Sequence, residues 1–117
     1  MKPILCNAFS PSMIPEGAMT LSLRFTRTSA KNVATLLTLG YPSWESAVGH
    51  ADTAAVFSSL LGVEVPCRRV NVTLPMPEKP GQTSLIVGQY VGPRLPEGAT
   101  SLPEGARIDW WLVNLTP

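Results

Sequence analysis

Apolar and polar side chains alternate one by one over residues 19–26. Met19, Leu21, Leu23 and Phe25 are apolar, and the residues between them are polar. A period of two is typical of a strand with one buried face. The same alternation recurs over residues 69–74 and stops at a proline-rich stretch. We therefore predict a half-buried strand in each of these two segments.

Three other apolar runs predict three further strands, over residues 3–6, 85–91 and 108–115. The middle run is apolar at nearly every position, which favours a more fully buried strand. In the last run Trp110 and Trp111 are adjacent, so a strand directs them to opposite faces of the sheet. We expect one of the two to face a partner or a second layer.

Two helices are predicted in the first half of the chain. Ser29 is a good N-cap for a helix that ends near Gly40. A second helix is expected from about Ala47 to Leu61, because its apolar residues follow a three-and-four spacing and Gly62 can end it.

The order of these elements is strand, strand, helix, helix, strand, strand, strand. It predicts an α/β fold, a single small domain over residues 1–117 with a mixed β-sheet of about five strands flanked by helices. Such a small sheet leaves its edges and part of one face unprotected. We therefore expect a symmetric homodimer.

Composition narrows the possible functions. The chain has 117 residues and 44% hydrophobic content, enough for one core and too little for two domains. Nine basic residues against eight acidic ones leave a net charge of +1, so no basic surface for long nucleic acid is expected. No apolar run approaches 18 residues, and the N-terminus does not resemble a signal peptide, so we expect a soluble intracellular protein and no membrane partner.

No metal or cofactor is predicted. Cys6 and Cys67 are the only cysteines and both lie in apolar settings, as expected of small core residues in a reduced protein. Two cysteines and one histidine are too few for a closed zinc site. No glycine-rich phosphate loop is present, which argues against nucleoside triphosphate or NAD use.

His50 is the only histidine and lies near the start of the second predicted helix. Free N–H groups at a helix start attract anions, and Gly49 lets a ligand or a neighbouring backbone come close. A histidine beside a bound phosphate can donate a proton to a leaving oxygen. The alternative is a half-buried histidine whose imidazole is satisfied by a backbone carbonyl.

Arg94 and Glu97 follow the buried strand, in a proline- and glycine-rich segment. Loops held by a rigid sheet carry binding groups disproportionately often. Arg94 can neutralise phosphate oxygens, and Glu97 can orient a ribose hydroxyl, take its proton or hold Arg94 in position. The alternative is an exposed ion pair of little energetic value.

Asn7 and Ser10 follow the first strand, where the strand ends of α/β sheets line a crevice. Their alternative role is that of ordinary turn formers. Arg68 and Arg69 point in opposite directions from the predicted strand, so one of them is expected to be ordinary surface charge.

Five short motifs occur in order from the first strand to about Gly98, and together they cover most of the chain. They are Asn7-Ala8-Phe9-Ser10, Ser46-Ala47-Val48-Gly49-His50 with Thr53, Leu60-Leu61-Gly62-Val63, Arg69-Val70 and Arg94-Leu95-Pro96-Glu97-Gly98. With this combination the chain resembles the viral type III anti-CRISPR ring nuclease family, small proteins of archaeal viruses and bacteriophages.

The resemblance implies a homodimer with a nucleotide pocket at the subunit interface, acting in the host cell cytoplasm. Members bind cyclic tetra-adenylate, the second messenger that activates type III CRISPR effector nucleases, and degrade it without a metal. A ribose 2′-hydroxyl of the substrate attacks the adjacent phosphate, which yields linear di-adenylate with a 2′,3′-cyclic phosphate. The protein therefore needs to position the ring, neutralise charge and supply a proton.

The resemblance also implies a role for individual residues. The catalytic set is His50 as general acid, Arg94 and Glu97. The substrate-binding set is Asn7, Ser10, Gly49, Thr53, Arg69 and Gln89.

The chain departs from the family at two places. The family often has a glutamine four residues before the arginine that Arg94 matches, whereas this chain has Tyr90 there and Gln89 one residue earlier. Either a bulge at Gly92-Pro93 restores the contact or the contact is lost. Glu104, in a second Leu-Pro-Glu-Gly run, is an alternative acid to Glu97, although only Glu97 has an arginine three residues before it.

Two other functions remain as alternatives. The displaced glutamine favours a sponge that binds a cyclic nucleotide tightly and does not cut it. The paired tryptophans favour a viral protein that binds a host protein and has no affinity for cyclic oligonucleotides.

Overall fold

Five strands form one mixed sheet in the computed structural model, which describes residues 2–76, 79 and 81–116. The strands are β1 (Ile4–Cys6), β2 (Ser22–Thr28), β3 (Glu45–Ser46), β4 (Thr83–Val91) and β5 (Arg107–Thr116), in the spatial order β2-β5-β4-β1-β3. β5 is antiparallel to β2 and β4, whereas β1 is parallel to β4 and β3. The predicted single α/β domain with a mixed five-stranded sheet is confirmed.

Two helices pack on one face of this sheet. α1 (Ala30–Thr35) continues as a π-helical segment, Leu36–Gly40, and α2 spans Ala51–Leu61. The Ser29 side chain caps α1 by accepting from the Asn32 N–H, and Gly62 ends α2 in the left-handed conformation. Among the described residues, no helix is long and apolar enough to cross a membrane.

The predicted strand at residues 69–74 is wrong. This segment pairs with no strand of the described sheet, and its Val72 and Leu74 pack against the sheet face that the helices leave open. Leu74 is buried there, and its N–H donates to the Met13 carbonyl at 2.7 Å. The alternation reflects contact with that face, and the prolines that follow remove donors that a strand would need.

The fifth strand is instead β3, whose two residues pair with β1. The second helix begins at Ala51, four residues later than predicted, because residues 47 and 48 are held by hydrogen bonds outside the helix. The Ala47 N–H donates to the Leu5 carbonyl at 2.7 Å, and Val48 forms a parallel bridge with Cys67. β2 likewise begins later than predicted, and Met19 is 95% exposed.

The core between the sheet and the helices is centred on Phe57 of α2 and Trp110 of β5. Their ring centroids lie 4.9 Å apart, and both side chains are buried. Gly88 of β4 lies directly beneath them: a Cβ there would lie 2.6 Å from Trp110 Cζ3 and 2.7 Å from Phe57 Cζ. Only glycine fits at this point of the sheet.

The opposite face of the sheet carries a second apolar cluster, which is covered by loops. Segments 9–21 and 70–76 contribute to it near β1, together with buried side chains of the sheet: Cys6, Leu85, Val87, Val113 and Leu115. The loops cover this face less completely at β2, where Phe25 is 43% exposed. Trp111 lies on this face and Trp110 on the other, as predicted.

Phe9, Phe25 and Trp111 form an aromatic patch on this second face. Phe25 meets Phe9 edge to face at a centroid distance of 5.6 Å, and it meets Trp111 in the same way at 6.3 Å. The Arg27 guanidinium lies over the Trp111 ring, 4.2 Å from its centroid. The patch is therefore an apolar surface that the described part of the chain only partly covers.

Candidate functional site

His50 is the residue immediately before α2. Its extended backbone makes it the N-cap, and its carbonyl accepts from the Ala54 N–H at 2.9 Å. The side chain makes no capping bond and is exposed. Among the described residues the imidazole has no hydrogen-bond partner, so the alternative of a half-buried, satisfied histidine is not what the structure contains.

The sheet topology explains which segments surround His50. β4, β1 and β3 are neighbouring parallel strands, so their carboxyl ends meet at one edge of the sheet. Residues 92–98 follow β4, residues 7–10 follow β1, and residues 47–53 follow β3. Crevices at the carboxyl ends of strands are the usual ligand sites of open α/β sheets.

The first cavity at this edge has a volume of about 620 Å³. Its lining comes from the start of α2 and from residues 94–97, which belong to the segment 94–98 that we name the 94–98 loop. Lining residues are His50, Asp52, Thr53, Arg94, Leu95, Pro96 and Glu97. The structure thus brings the three predicted catalytic residues and Thr53 to one cavity.

A second cavity of about 620 Å³ lies on the other side of His50. Asn7 and Ser10 line it from the segment after β1, and residues 70–73 also line it. Ser10 also caps a 3₁₀ turn, its Oγ accepting from the Ser12 N–H at 3.3 Å, so it combines the turn role with a place at the cavity.

Cys6 also lines the second cavity, and it is not a nucleophile. Burial raises the pKa of its thiol to about 11, and the backbone of Ala8 only partly opposes the rise. The thiolate is the reactive form of cysteine, so Cys6 is protonated and inert at neutral pH.

A third cavity, about 360 Å³, lies beside the aromatic patch and shares Asn7 and Ala8 with the second. Gln89 lines this third cavity and neither of the other two. Regular pairing of β4 with β5 runs through Val91, and the Tyr90 hydroxyl donates to the Pro93 carbonyl. No bulge returns Gln89 to the cavities of His50.

Three other residues from the sequence analysis lie at the margin of the site. Arg69 is exposed and lines none of these three cavities, and its side chain packs beside Gly49, where a Cβ would lie 3.5 Å from Arg69 Cγ. Glu104 is exposed in the turn before β5 and lines none of these three cavities, so of the two candidate glutamates only Glu97 shares a cavity with His50.

Sequence reasoning missed Asp52. This residue lies in the first turn of α2, and its Oδ1 accepts the Gly98 N–H at 3.0 Å. Acidic residues are favoured in the first turn of a helix, so the residue type carried a weak signal. Nothing in the sequence indicated its partner Gly98, which lies 46 positions away.

The site suits an anion with a leaving oxygen. His50 offers a proton donor, the start of α2 offers backbone N–H groups, and Arg94 offers a guanidinium. Within residues 2–76, 79 and 81–116, no three His, Cys, Asp or Glu side chains cluster as metal ligands would.

Comparison with known proteins gives matches that span most of the chain. A family model described as STIV B116-like matches residues 3–108. Among solved structures, the chain is similar to B116 of Sulfolobus turreted icosahedral virus, with a TM-score of 0.69 and 22% sequence identity. That match covers 97% of this chain and 99% of B116, and at this identity it shows the fold. No curated protein matches the chain.

Proposed function

This chain belongs to the STIV B116-like family, and from that premise we propose that it is a viral anti-CRISPR ring nuclease. It binds cyclic tetra-adenylate and cleaves it without a metal to linear di-adenylate with a 2′,3′-cyclic phosphate. Type III CRISPR signalling in the host cell cytoplasm is thereby shut down. The observation that carries the proposal is the grouping of His50, Arg94 and Glu97 around one cavity at the start of α2.

The chemistry uses a nucleophile that belongs to the substrate. The ribose 2′-oxygen forms a bond to phosphorus, and the bond from phosphorus to the 5′-oxygen breaks. His50 gives its proton to the departing 5′-oxygen, and Arg94 neutralises the charge that builds up on the phosphate. Glu97 accepts the proton that the 2′-hydroxyl loses; if Glu97 instead holds Arg94, that proton passes to water. The N–H groups of α2 and the second cavity position the ring.

The direct test is incubation of the purified protein with cyclic tetra-adenylate in EDTA. We expect linear di-adenylate with a 2′,3′-cyclic phosphate end, separated by ion-pair chromatography and identified by mass. Cyclic tri- and hexa-adenylate and cyclic dinucleotides, tested in parallel, define the preferred ring. If folded protein leaves every ring uncut over hours, the nuclease proposal is wrong.

A sponge is the second candidate, and the position of Gln89 favours it. Gln89 lies outside both cavities that His50 borders, so one ligand contact of the resembled family is displaced here. A sponge would give a strong thermal shift with cyclic tetra-adenylate and intact ring recovered afterwards.

Replacing Arg94 by alanine should weaken binding and cleavage together. A hydrogen bond to a charged group contributes about 1.5–3 kcal/mol, so we expect affinity to fall roughly ten- to hundred-fold. Calorimetry and single-turnover cleavage measure the two effects. The matched control is Arg24→Ala, which removes the same charge from an exposed position on β2. Equal losses in both variants would mean that Arg94 acts only through net charge.

We propose further that the protein is a homodimer that associates through the aromatic patch. The patch is only partly covered, and the cavity beside it shares Asn7 and Ala8 with the second cavity of the site. A second copy packed here buries Phe25 and encloses the ligand cavities from that side, which agrees with a nucleotide pocket shared between subunits.

Replacing Phe25 by arginine should convert this dimer to a monomer, because it places a charge in an apolar interface. Light scattering coupled to size exclusion measures the mass, which should fall by half. Leu39→Arg is the control, since Leu39 is also exposed but lies at the end of the helical segment after α1, on the other side of the sheet. A wild-type monomer, or a Phe25→Arg variant that stays dimeric, would contradict the proposed interface.

A further inference from the structure

We infer that Asp52 is a positioning residue that holds the 94–98 loop across the first cavity from His50; the inference rests on the proposed function. Asp52 is the second residue of α2 and is half-buried. Its Oδ1 accepts the N–H of Gly98 at 3.0 Å. One hydrogen bond therefore joins the helix start that carries His50 to the loop that carries Arg94 and Glu97.

The other hydrogen bonds of the connection between β4 and β5 are local. The Ala99 N–H donates to the Pro96 carbonyl, and the Ala106 N–H donates to the Pro103 carbonyl. The prolines of this segment have no N–H to offer. In the described part of the chain, the bond to Asp52 is thus the one hydrogen bond that ties residues 92–106 to α2.

Gly98, which donates this hydrogen bond, has a backbone conformation that favours glycine. Its φ is +79°, and a Cβ at this position would meet no atom within 4 Å. Backbone conformation, and not lack of space, therefore makes glycine the suitable residue. A residue with a side chain would be strained at this φ, so a substitution at Gly98 disturbs the segment that makes the contact with Asp52.

The charge of Asp52 also fits a positioning role. A free carboxylate on the wall of an anion-binding cavity would repel phosphate. Asp52 makes no ion pair with any described residue, and its negative charge is balanced by the Gly98 N–H and by the start of α2. Asp52 therefore suits the role of an acceptor that fixes the 94–98 loop. Its negative charge makes it unsuited to binding the substrate phosphate.

The catalytic consequence is geometric. Without the bond to Asp52, Arg94 and Glu97 keep their chemistry but lose their fixed position relative to His50. A misplacement of about 1 Å can cost up to about 10²-fold in rate. We therefore expect Asp52→Ala to lower kcat by roughly ten- to hundred-fold, with a smaller change in KM. Asp52→Asn keeps an Oδ1 acceptor, so it should restore most of kcat.

The test uses the full chain and two readouts. Amide proton exchange of Gly98, followed by ¹H–¹⁵N NMR without ligand, should be fast in Asp52→Ala and slow in wild type and Asp52→Asn. The kcat for cyclic tetra-adenylate should follow the same order. Glu64→Ala removes an exposed acid just beyond α2 and serves as the control for lost charge. If Asp52→Ala does not fold, Gly98→Ala strains the same contact from the loop side.

Each outcome has a defined meaning. Unchanged Gly98 exchange in Asp52→Ala overturns the inference, and so does a kcat that falls equally in Asp52→Asn. Faster Gly98 exchange with unaltered kcat overturns the positioning role. If Gly98 exchanges faster in Asp52→Ala but the wild-type protein cuts no ring, the contact is supported and the nuclease proposal is refuted. The failure of the inference and the failure of the proposed function are therefore distinguishable.

Discussion

Replacing His50 by alanine should slow cleavage of cyclic tetra-adenylate by roughly 10²–10⁴-fold, the usual contribution of a general acid. Its affinity for the ring should change little. The expectation follows from the position of the imidazole, which is exposed, borders both larger cavities and makes no capping bond that the fold would lose. Single-turnover cleavage and calorimetry with an uncleaved ring separate the two quantities.

A second variant separates proton donation from helix capping. His50 is the N-cap of α2, and asparagine is among the best N-cap residues. His50→Asn should therefore keep or raise thermal stability while cleavage remains as slow as in His50→Ala. Activity close to wild type in either variant would exclude the general-acid role. Parallel losses of affinity and rate would make His50 a ligand contact instead.

Replacing Phe57 by alanine should lower the free energy of unfolding by about 3–5 kcal/mol. Phe57 is fully buried and packs on Trp110, and Gly88 beneath the two rings has no side chain with which to fill the space. Urea denaturation followed by tryptophan fluorescence measures the loss. If the alanine variant does not fold, Phe57→Leu should give a smaller loss of the same sign.

Phe25→Ala is the matched control, because Phe25 is 43% exposed. Its loss should be clearly smaller, and it should depend on protein concentration if Phe25 belongs to a dimer interface. The loss of stability in Phe57→Ala should not depend on protein concentration. Equal losses at the two positions would contradict the described core.

The strands show how far hydrophobic alternation can be used as a guide. It correctly predicts a strand near Phe25 and opposite faces for Trp110 and Trp111, although every residue of β2 is exposed or only partly buried. It fails at residues 69–74, because a period of two reports that the chain is extended and touches an apolar surface. It does not report hydrogen bonds to a neighbouring strand. Leu74 is buried because it lies on the sheet face, and this burial does not require pairing with a strand.

β3 and the start of α2 were beyond prediction for a different reason. Two residues are too few to display any period, and Glu45 and Ser46 form a strand only because β1 lies beside them. The Leu5 carbonyl likewise draws the Ala47 N–H away from the helix that local propensity favours. Contacts between distant segments decided both boundaries.

The site was predictable in part. The motif around His50 and the pair Arg94 and Glu97 could be found in the sequence, and the structure places all three around one cavity. The sequence shows that Gln89 is displaced by one residue from the position that the family uses. The effect of that displacement follows from strand geometry, because a shift of one residue along a strand sends the side chain to the other face of the sheet. Tyr90 and Gln89 accordingly diverge, and Gln89 reaches the third cavity.

β5 has a consequence for how the molecule assembles. It lies between β2 and β4, and β2 has no other strand beside it in the described sheet. Ser22 of β2 pairs with Thr116 of β5, so segments far apart in the chain must meet before the sheet is continuous. Such long-range pairing slows folding. A polypeptide synthesised only as far as Ala106 can join β4, β1 and β3 but has nothing to hold β2. Its apolar faces then stay open to solvent, chaperones and proteases until β5 is inserted.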